Sequence, residues 1–400
     1  MRGLRGLDWR GFKTAIVVML GWAFEALDFM LFPLLSIPIM DELYLSRIDF
    51  SLLISMGLLG TVIGGIFAGI IADRIGRRKT LFLSLLIYSI GTLTLAFSRD
   101  IYTAGLARII VGLGLSFEWS TGMALVSETS NPKHRGKAVS LAQSGWPIGV
   151  LSAIFMVIYL YPIIGWRMCF FSVALTAPIM APLFLGLEES RIWRESKEKG
   201  IAHGRIVELF STSLRGKTLV ALTMNVLAMF SYWMFWTWLP TYLYEIHGLS
   251  IVKSAEWLVT SQVGAWIGYI SYGILQDHIG RRFSWSVFTA MEASMILLYV
   301  SPFIRKEHLL YIGFLSGFFT GFWGGFGALL SEIFPTHIRG TALGFIFNTG
   351  RAINFVSPTI VAWVSLYYGW EIALSLAAVC SFLISAIIWF FPETRGTLLR

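Results

Sequence analysis

The chain has 400 residues, 56% of them hydrophobic and only 14% charged, with a formal net charge of +8. Soluble domains carry roughly 25% charged residues, so this composition cannot cover a water-exposed surface. It excludes a soluble enzyme or a nucleic-acid binder despite the positive balance, and it describes an all-α polytopic membrane protein.

Apolar runs long enough to cross the hydrocarbon, about 20 residues for ~30 Å, occur twelve times. They fall near 14–40, 49–72, 80–97, 101–125, 138–160, 166–187, 218–244, 254–276, 283–302, 308–331, 340–364 and 369–391. The first follows Arg2, Arg5, Arg10 and Lys13 and is longer than a signal-peptide core, so it is expected to stay in the mature protein. Between the sixth and seventh runs lies a charged segment, 188–215, with helical character at 192–208. It is expected to link an N-terminal bundle, 1–187, to a C-terminal one, 216–400.

Orientation follows from the cations. One side receives 23 of the 31 Lys and Arg residues, including the N-terminus, Arg74/Arg77/Arg78/Lys79, Lys133/Arg135/Lys137, the linker, Arg281/Arg282 and Arg339. The other side has Arg47, Arg99, Lys253, Arg305 and Lys306, with Arg167 at its edge. Both termini and the linker are therefore expected in the cytoplasm and the protein in a plasma membrane. Cys169 and Cys380 lie far apart in apolar runs, and His134, His203, His247, His278, His308 and His337 fall in or beside loops. Neither a disulfide framework nor a metal site is expected, and no HExxH, GxSxG or P-loop pattern suggests an enzyme.

A shift of 204 positions superimposes several features. Asp73-Arg74-Ile75-Gly76-Arg77-Arg78 falls on Asp277-His278-Ile279-Gly280-Arg281-Arg282. Glu128, Arg135 and Gly136 fall on Glu332, Arg339 and Gly340; Gly165-Trp166 falls on Gly369-Trp370; Glu189-Ser190-Arg191 falls on Glu393-Thr394-Arg395. Each half holds six spans, an even number, so the two copies insert in parallel. That arrangement is used by secondary transporters whose halves rock about a site near the midplane.

The stretch from Gly69 through Asp73-Arg74-Ile75-Gly76-Arg77-Arg78-Lys79 resembles the loop 2–3 signature of the major facilitator superfamily. Arg108 with Gly112 and Gly114 resembles its fourth-helix motif, and the 189–191 and 392–396 endings resemble those closing each half of its sugar-porter-like members. The resemblance spans the chain and implies twelve transmembrane helices in two parallel six-helix repeats. It also implies that Asp73, Arg74, Gly76, Arg77, Arg78, Asp277 and Arg281 form a latch holding the outward-facing state. Within the superfamily, Glu25–Phe29, Phe117-Glu118-Trp119, Glu128 with His134–Ala138, Gln143–Trp146 and Asn348–Arg351 are similar to the sialate, monocarboxylate and aromatic-acid proton symporters. The sequence departs from them at Glu25, where Asp is more usual, and at Ser116-Phe117, which replace glycines.

Ionisable residues at midspan cost about 2.5–3.5 kcal/mol on insertion scales and are functional candidates by default. Glu25 and Asp28 lie three apart on one face of the first span. Two neighbouring carboxylates in a low dielectric cannot both ionise cheaply, so Asp28 is a candidate proton site with Glu25 tuning it; the structural reading is a hydrogen bond or a salt bridge to Arg108. Arg351, flanked by Asn348 and Asn354, suits a carboxylate, whether from substrate or from the protein. Arg108 could join the substrate, pair with Asp28 or reach outward. Glu118 reads equally as a coupling residue and a structural one, and Glu292 as a packing partner. Gln143, Ser144, Asn225, Tyr232 and Gln262 complete a polar cavity lining. Tyr232 is the repeat counterpart of Asp28, and the Trp233–Trp238 run reads as a belt of interface aromatics or a ligand stack. Gly57, Gly60, Gly64, Gly65 and Gly69 read as close helix packing.

The expected function is import of a small organic anion, a monocarboxylate or sugar acid, with protons by alternating access. No cofactor beyond the proton gradient is expected, and the protein is expected to be a monomer in contact with lipid. The alternatives are a sugar or zwitterion (betaine or amino-acid-like) carrier, or a non-transporting membrane receptor.

Overall fold

A computed structural model describes residues 9–199, 204–249 and 251–399. Arg2, Arg5, His203, Arg400 and residues 200–203 of the expected linker lie outside the described residues, as do the side chains of Arg47 and Lys253. Every regular element described is helical. The first half contains α1 (Trp9–Leu34), α2 (Ser36–Glu42), α3 (Arg47–Ile75), α4 (Arg77–Ala96), α5 (Ile101–Thr129), α6 (Arg135–Gln143), α7 (Gly145–Phe155), α8 (Tyr161–Ala174) and α9 (Thr176–Leu185). A short α10 (Arg191–Glu198) follows. The second half contains α11 (Arg215–Glu245), α12 (Ile251–Ile279), α13 (Arg281–Tyr299), α14 (Leu309–Phe319), α15 (Trp323–Ile333), α16 (Arg339–Ile353), α17 (Ser357–Tyr368) and α18 (Trp370–Ile387).

Eight stretches of the described chain are long and apolar enough to cross a membrane, one of them the 54-residue Pro132–Leu185. That stretch bends at Gly165, where φ is 74°, and so makes two rods. Other rods are broken rather than continuous. A 3-10 turn, Thr320–Phe322, joins α14 to α15, and another, Asn354–Val356, joins α16 to α17. In the first half α6 yields to α7 at Ser144, just before Pro147, whose ring nitrogen cannot donate to the turn before it. Counted as rods, the described helices make twelve spans in two repeated halves.

The repeat is written into the backbone. Gly76 and Gly280 adopt φ/ψ of 103°/159° and 100°/161°, and Gly165 and Gly369 adopt 74°/168° and 86°/165°. Each pair sits at the 204-residue offset, in a left-handed region that a β-carbon disfavours. The glycine face of α3 is packing surface, as expected. Gly60 lies against the Ile109 carbonyl of α5, and Gly65 and Gly69 lie against Asn348 and Gly340 of α16 or its start. Helix α3 is thereby wedged between its own half and the other.

The two halves are fastened at the cation-rich face. Asp73 accepts from the backbone N–H groups of Gly340 and Thr341, at 3.1 and 2.8 Å, capping the first turn of α16. Asp277 does the same to α6 through Gly136 and Lys137, at 3.0 and 2.8 Å. Arg77 donates to both oxygens of Glu128, which also accepts from Arg339 of the opposite half at 2.5 Å. Arg281 likewise donates twice to Glu332, which accepts from Arg135 at 2.8 Å. Glu189 and Glu393 cap α4 and α13. Two of the expected latch residues stand apart. Arg74 is exposed, and Arg78 reaches the Leu185 and Leu187 carbonyls. Helix α10 covers the cluster through Trp193, whose indole donates to the Asp73 carbonyl at 2.7 Å. At the opposite face Glu42 accepts from Trp166 and Arg167, and the Arg167 hydrogen bond holds its carboxyl below the usual range.

Substituting Glu128→Gln strips Arg77 and Arg339 of the carboxylate they share. Breaking a buried ion pair from one side costs about 3–5 kcal/mol, so a cysteine placed under the latch, in a background lacking Cys169 and Cys380, should react with a maleimide several-fold faster. An unchanged rate would show that the latch does not hold this face closed.

Candidate functional site

Between the halves lies a small cavity. It is walled by α1 and α6/α7 on one side and by α11, α12, α15 and α16 on the other. Breaks at Ser144, Thr320–Phe322 and Asn354–Val356 lie close in the chain to the lining residues Gln143, Trp323 and Arg351, and a broken backbone is tolerated in a membrane only where protein or a cavity surrounds it. Most of the wall is aromatic: Trp22, Trp146, Tyr232, Trp233, Trp323 and Phe347 among others. Arg351 is the one cation of this lining, and Gln143 its amide.

The rings are mutually braced. Trp22 packs on Trp146 with centroids 5.2 Å apart, and Phe347 stacks on Trp119 at 3.8 Å. The Trp146 indole donates to the Tyr232 hydroxyl across the halves at 3.1 Å. Gln143 accepts from the Trp119 indole at 2.7 Å and engages the Tyr269 hydroxyl. The indole nitrogens of Trp22 and Trp323 are buried without a hydrogen-bond partner among the described residues.

Arg351 approaches Glu25 at 3.7 Å, and its guanidinium lies over the Phe29 and Phe347 rings at 5.8 and 5.2 Å. Asp28 is fully buried and accepts from the Thr92 hydroxyl at 3.1 Å. Arg108 forms no salt bridge with it within 4 Å among the described residues; its guanidinium sits over Phe32 at 4.1 Å and against Gly57. Glu118 is buried against Gly21 of α1, one turn before Glu25, with neither oxygen hydrogen-bonded. Three carboxyls, Glu25, Asp28 and Glu118, are thus gathered on or beside α1.

The remaining candidates take other positions. Asn225 donates to the Ile346 and Phe347 carbonyls at 2.7 and 3.1 Å, so it holds α16 in place. Asn348 donates to Gly344 within its own helix and packs on Gly65, and Asn354 accepts from Ser357 at 2.7 Å. Glu292 accepts from Ser381, which shares a 2.6 Å hydrogen bond with Ser231. None of these four lines the cavity, whereas Tyr232 and Gln143 do. Sequence reasoning missed Trp22, Trp146, Trp323 and Phe347, because a tryptophan facing a cavity and one facing lipid look alike in an apolar run. The spacing of Gln143 and Trp146, one turn apart beside a proline break, was the available signal. A wider cleft at the opposite face, lined by Asp41, Glu42, Trp166 and Arg167, belongs to the first half alone and contains none of the midspan acids.

The family model of the Major Facilitator Superfamily matches residues 15–304 and 252–399. A putative metabolite transport protein of Haemophilus influenzae is 30% identical over 396 residues, covering 96% of this chain and 97% of that protein. The cis,cis-muconate transport protein of Acinetobacter baylyi is 30% identical over 357 residues, covering 85% and 84%. A solved structure of the proton:xylose symporter XylE superimposes with a TM-score of 0.81 at 19% identity, covering 98% of each chain, a likeness of fold. The chain belongs to the major facilitator superfamily, a family of membrane transporters and not of enzymes.

Thr92→Val removes the one hydroxyl among the described residues that donates to Asp28. Leaving a buried polar group unsatisfied costs about 1–3 kcal/mol, and the melting temperature of the purified protein should fall by several degrees. A melting temperature equal to the parent's would show that the hydrogen bond carries no stability.

Proposed function

We propose that this superfamily member imports a small organic anion, a carboxylate, together with protons by alternating access. The observation that carries the reading is Arg351, the one cation in the aromatic lining between the halves. A guanidinium in that setting is satisfied by a planar carboxylate, which it can hold with two parallel hydrogen bonds. The rings flanking it, and the two unpartnered indole N–H donors, suit a flat unsaturated monocarboxylate better than a sugar acid. A polyhydroxylated ligand needs many polar partners, and this wall supplies few.

Asp28 is the proposed proton site. It is buried away from the latch, near a cation that it does not touch, and Thr92 orients it. Protonating it lowers the cost of bringing a second negative charge into the cavity, so the two loads are coupled without direct contact. The proposed setting is a plasma membrane with both termini and the latch in the cytoplasm and with a monomeric carrier. The closed latch then leaves the cavity to the outer side, where protons load. No cofactor is called for; the proton gradient drives the cycle.

Liposomes carrying the protein should accumulate an aromatic carboxylate faster under an inward proton gradient, and Asp28→Asn should abolish the acceleration. Arg351→Gln should weaken the apparent affinity about 10- to 100-fold, the worth of a charged hydrogen bond of about 1.5–3 kcal/mol. Uptake that ignores the gradient equally in parent and variant would leave a uniporter or exchanger.

A further inference from the structure

Glu25 and Arg351 come from opposite halves and meet beside the cavity that Arg351 lines, both buried. Their contact differs in kind from those of the latch. There, Glu128 and Glu332 each engage two guanidiniums through several bonds of 2.5 to 3.2 Å. Here a single 3.7 Å approach joins the partners, and neither oxygen of Glu25 receives a hydrogen bond. The planar fork of Arg351 is engaged at one edge only, and the residue itself lines the cavity.

The groups facing Glu25 are few. Arg351 comes from α16, Glu118 from α5, Asp28 from its own helix, and Tyr88 from α4 lies close to all three acids. Glu118 rests on Gly21, so the two glutamates are neighbours along one face of α1. Arg351 is the one cation in this group. Any ligand that takes Arg351 away therefore leaves Glu25 among acids.

Building on the carboxylate reading above, we infer that Glu25 is an internal stand-in for the substrate. It occupies Arg351 in the empty carrier and gives way to the incoming carboxylate only by accepting a proton. The charge balances in both states. Empty, the site holds one guanidinium and one carboxylate. Loaded, it holds the guanidinium, the carboxylate of the substrate and a neutral Glu25 carboxyl, with one proton taken from solution onto a Glu25 oxygen. Without that proton, two carboxylates would compete for one arginine in a low dielectric beside Glu118, which desolvation penalises. The same exchange removes a tie between the halves, because Arg351 and Glu25 lie on different ones. Ligand binding and proton binding are thus linked at Glu25 itself, one proton per monocarboxylate, in addition to the response of Asp28 to the gradient.

The test is a titration of the purified protein in lipid nanodiscs with benzoate, at several pH values in weak buffer, recording Kd and proton uptake together. The parent protein should take up at least one proton per benzoate, and its Kd should weaken on the alkaline side by about tenfold per pH unit for each proton linked. Glu25→Gln should take up about one proton fewer per benzoate than the parent, with a correspondingly shallower pH slope, and should bind about tenfold or more tightly than the parent at alkaline pH, because nothing competes for Arg351. Glu25→Asp, which keeps a titrating carboxyl, should retain the uptake. Benzoate bound by the parent without proton uptake overturns the inference and needs no variant to show it; so does a Glu25→Gln protein with the parent's slope. Absence of benzoate binding at every pH is a different result, and overturns the carboxylate reading together with the inference.

Discussion

The fold hangs on a pair of carboxylates that each cap a helix belonging to the other half. Asp73 closes the first turn of α16 and Asp277 that of α6. A helix N-terminus offers unpaired N–H groups and the positive end of a dipole, so an aspartate there is both hydrogen-bonded and charge-compensated. The contact exists only while the halves are in register. Glu128 and Glu332 extend the same logic, since each is shared by an arginine of either half. Four buried arginines with three distinct kinds of acceptor make a fastening that is satisfied when closed and costly when half open.

Such a fastening sets the terms for the cavity above it. Closure at one face brings α1 and α16 near enough for Glu25 to reach Arg351 at 3.7 Å, yet it does not force a tight pair. The contrast is informative. Glu128 and Glu332 each receive three charged hydrogen bonds, whereas Glu25 has one loose approach and aromatic faces share the desolvated guanidinium. Asp28, Glu25 and Glu118 lie within two turns of the same helix face or against it, so the electrostatic state of each depends on the others. Burial of all three strengthens that dependence, because charges interact more strongly in a low local dielectric.

Much of the architecture was legible along the chain. Charge scarcity excludes a soluble surface, apolar lengths mark the spans, and the 204-residue register predicts two like halves, which the backbone of Gly76 and Gly280, and of Gly165 and Gly369, reproduces to within about 12°. The glycines of α3 read as packing because small residues at that spacing let helices approach closely, and Gly60, Gly65 and Gly69 lie directly against α5 and α16 or its start. Glu128, Arg135, Glu332 and Arg339 were visible as repeated landmarks, but their place in the latch was not, since the partners lie about 200 residues away and periodicity says nothing about distant pairs.

The cavity divides in the same way. A midspan arginine or glutamate announces itself by its insertion cost, and Glu25, Asp28, Glu118 and Arg351 were all apparent on that ground. Which acid meets which cation was undetermined, because it depends on how two halves dock. Arg108 turns to Phe32 and not to Asp28, while Arg351 turns to Glu25. Polar amides were equally ambiguous: Gln143 faces the cavity, whereas Asn225 is used up on the α16 backbone. Aromatic residues were the least readable, since in a chain where apolar character is the rule a ring at the cavity carries no excess hydrophobic signal. The sequence by itself determined the spans, the repeat and the buried charges, all of which follow from the cost of placing a residue in hydrocarbon. Only the tertiary structure decided the pairings among those charges and the identity of the rings around them, because both depend on contacts between helices distant in the chain.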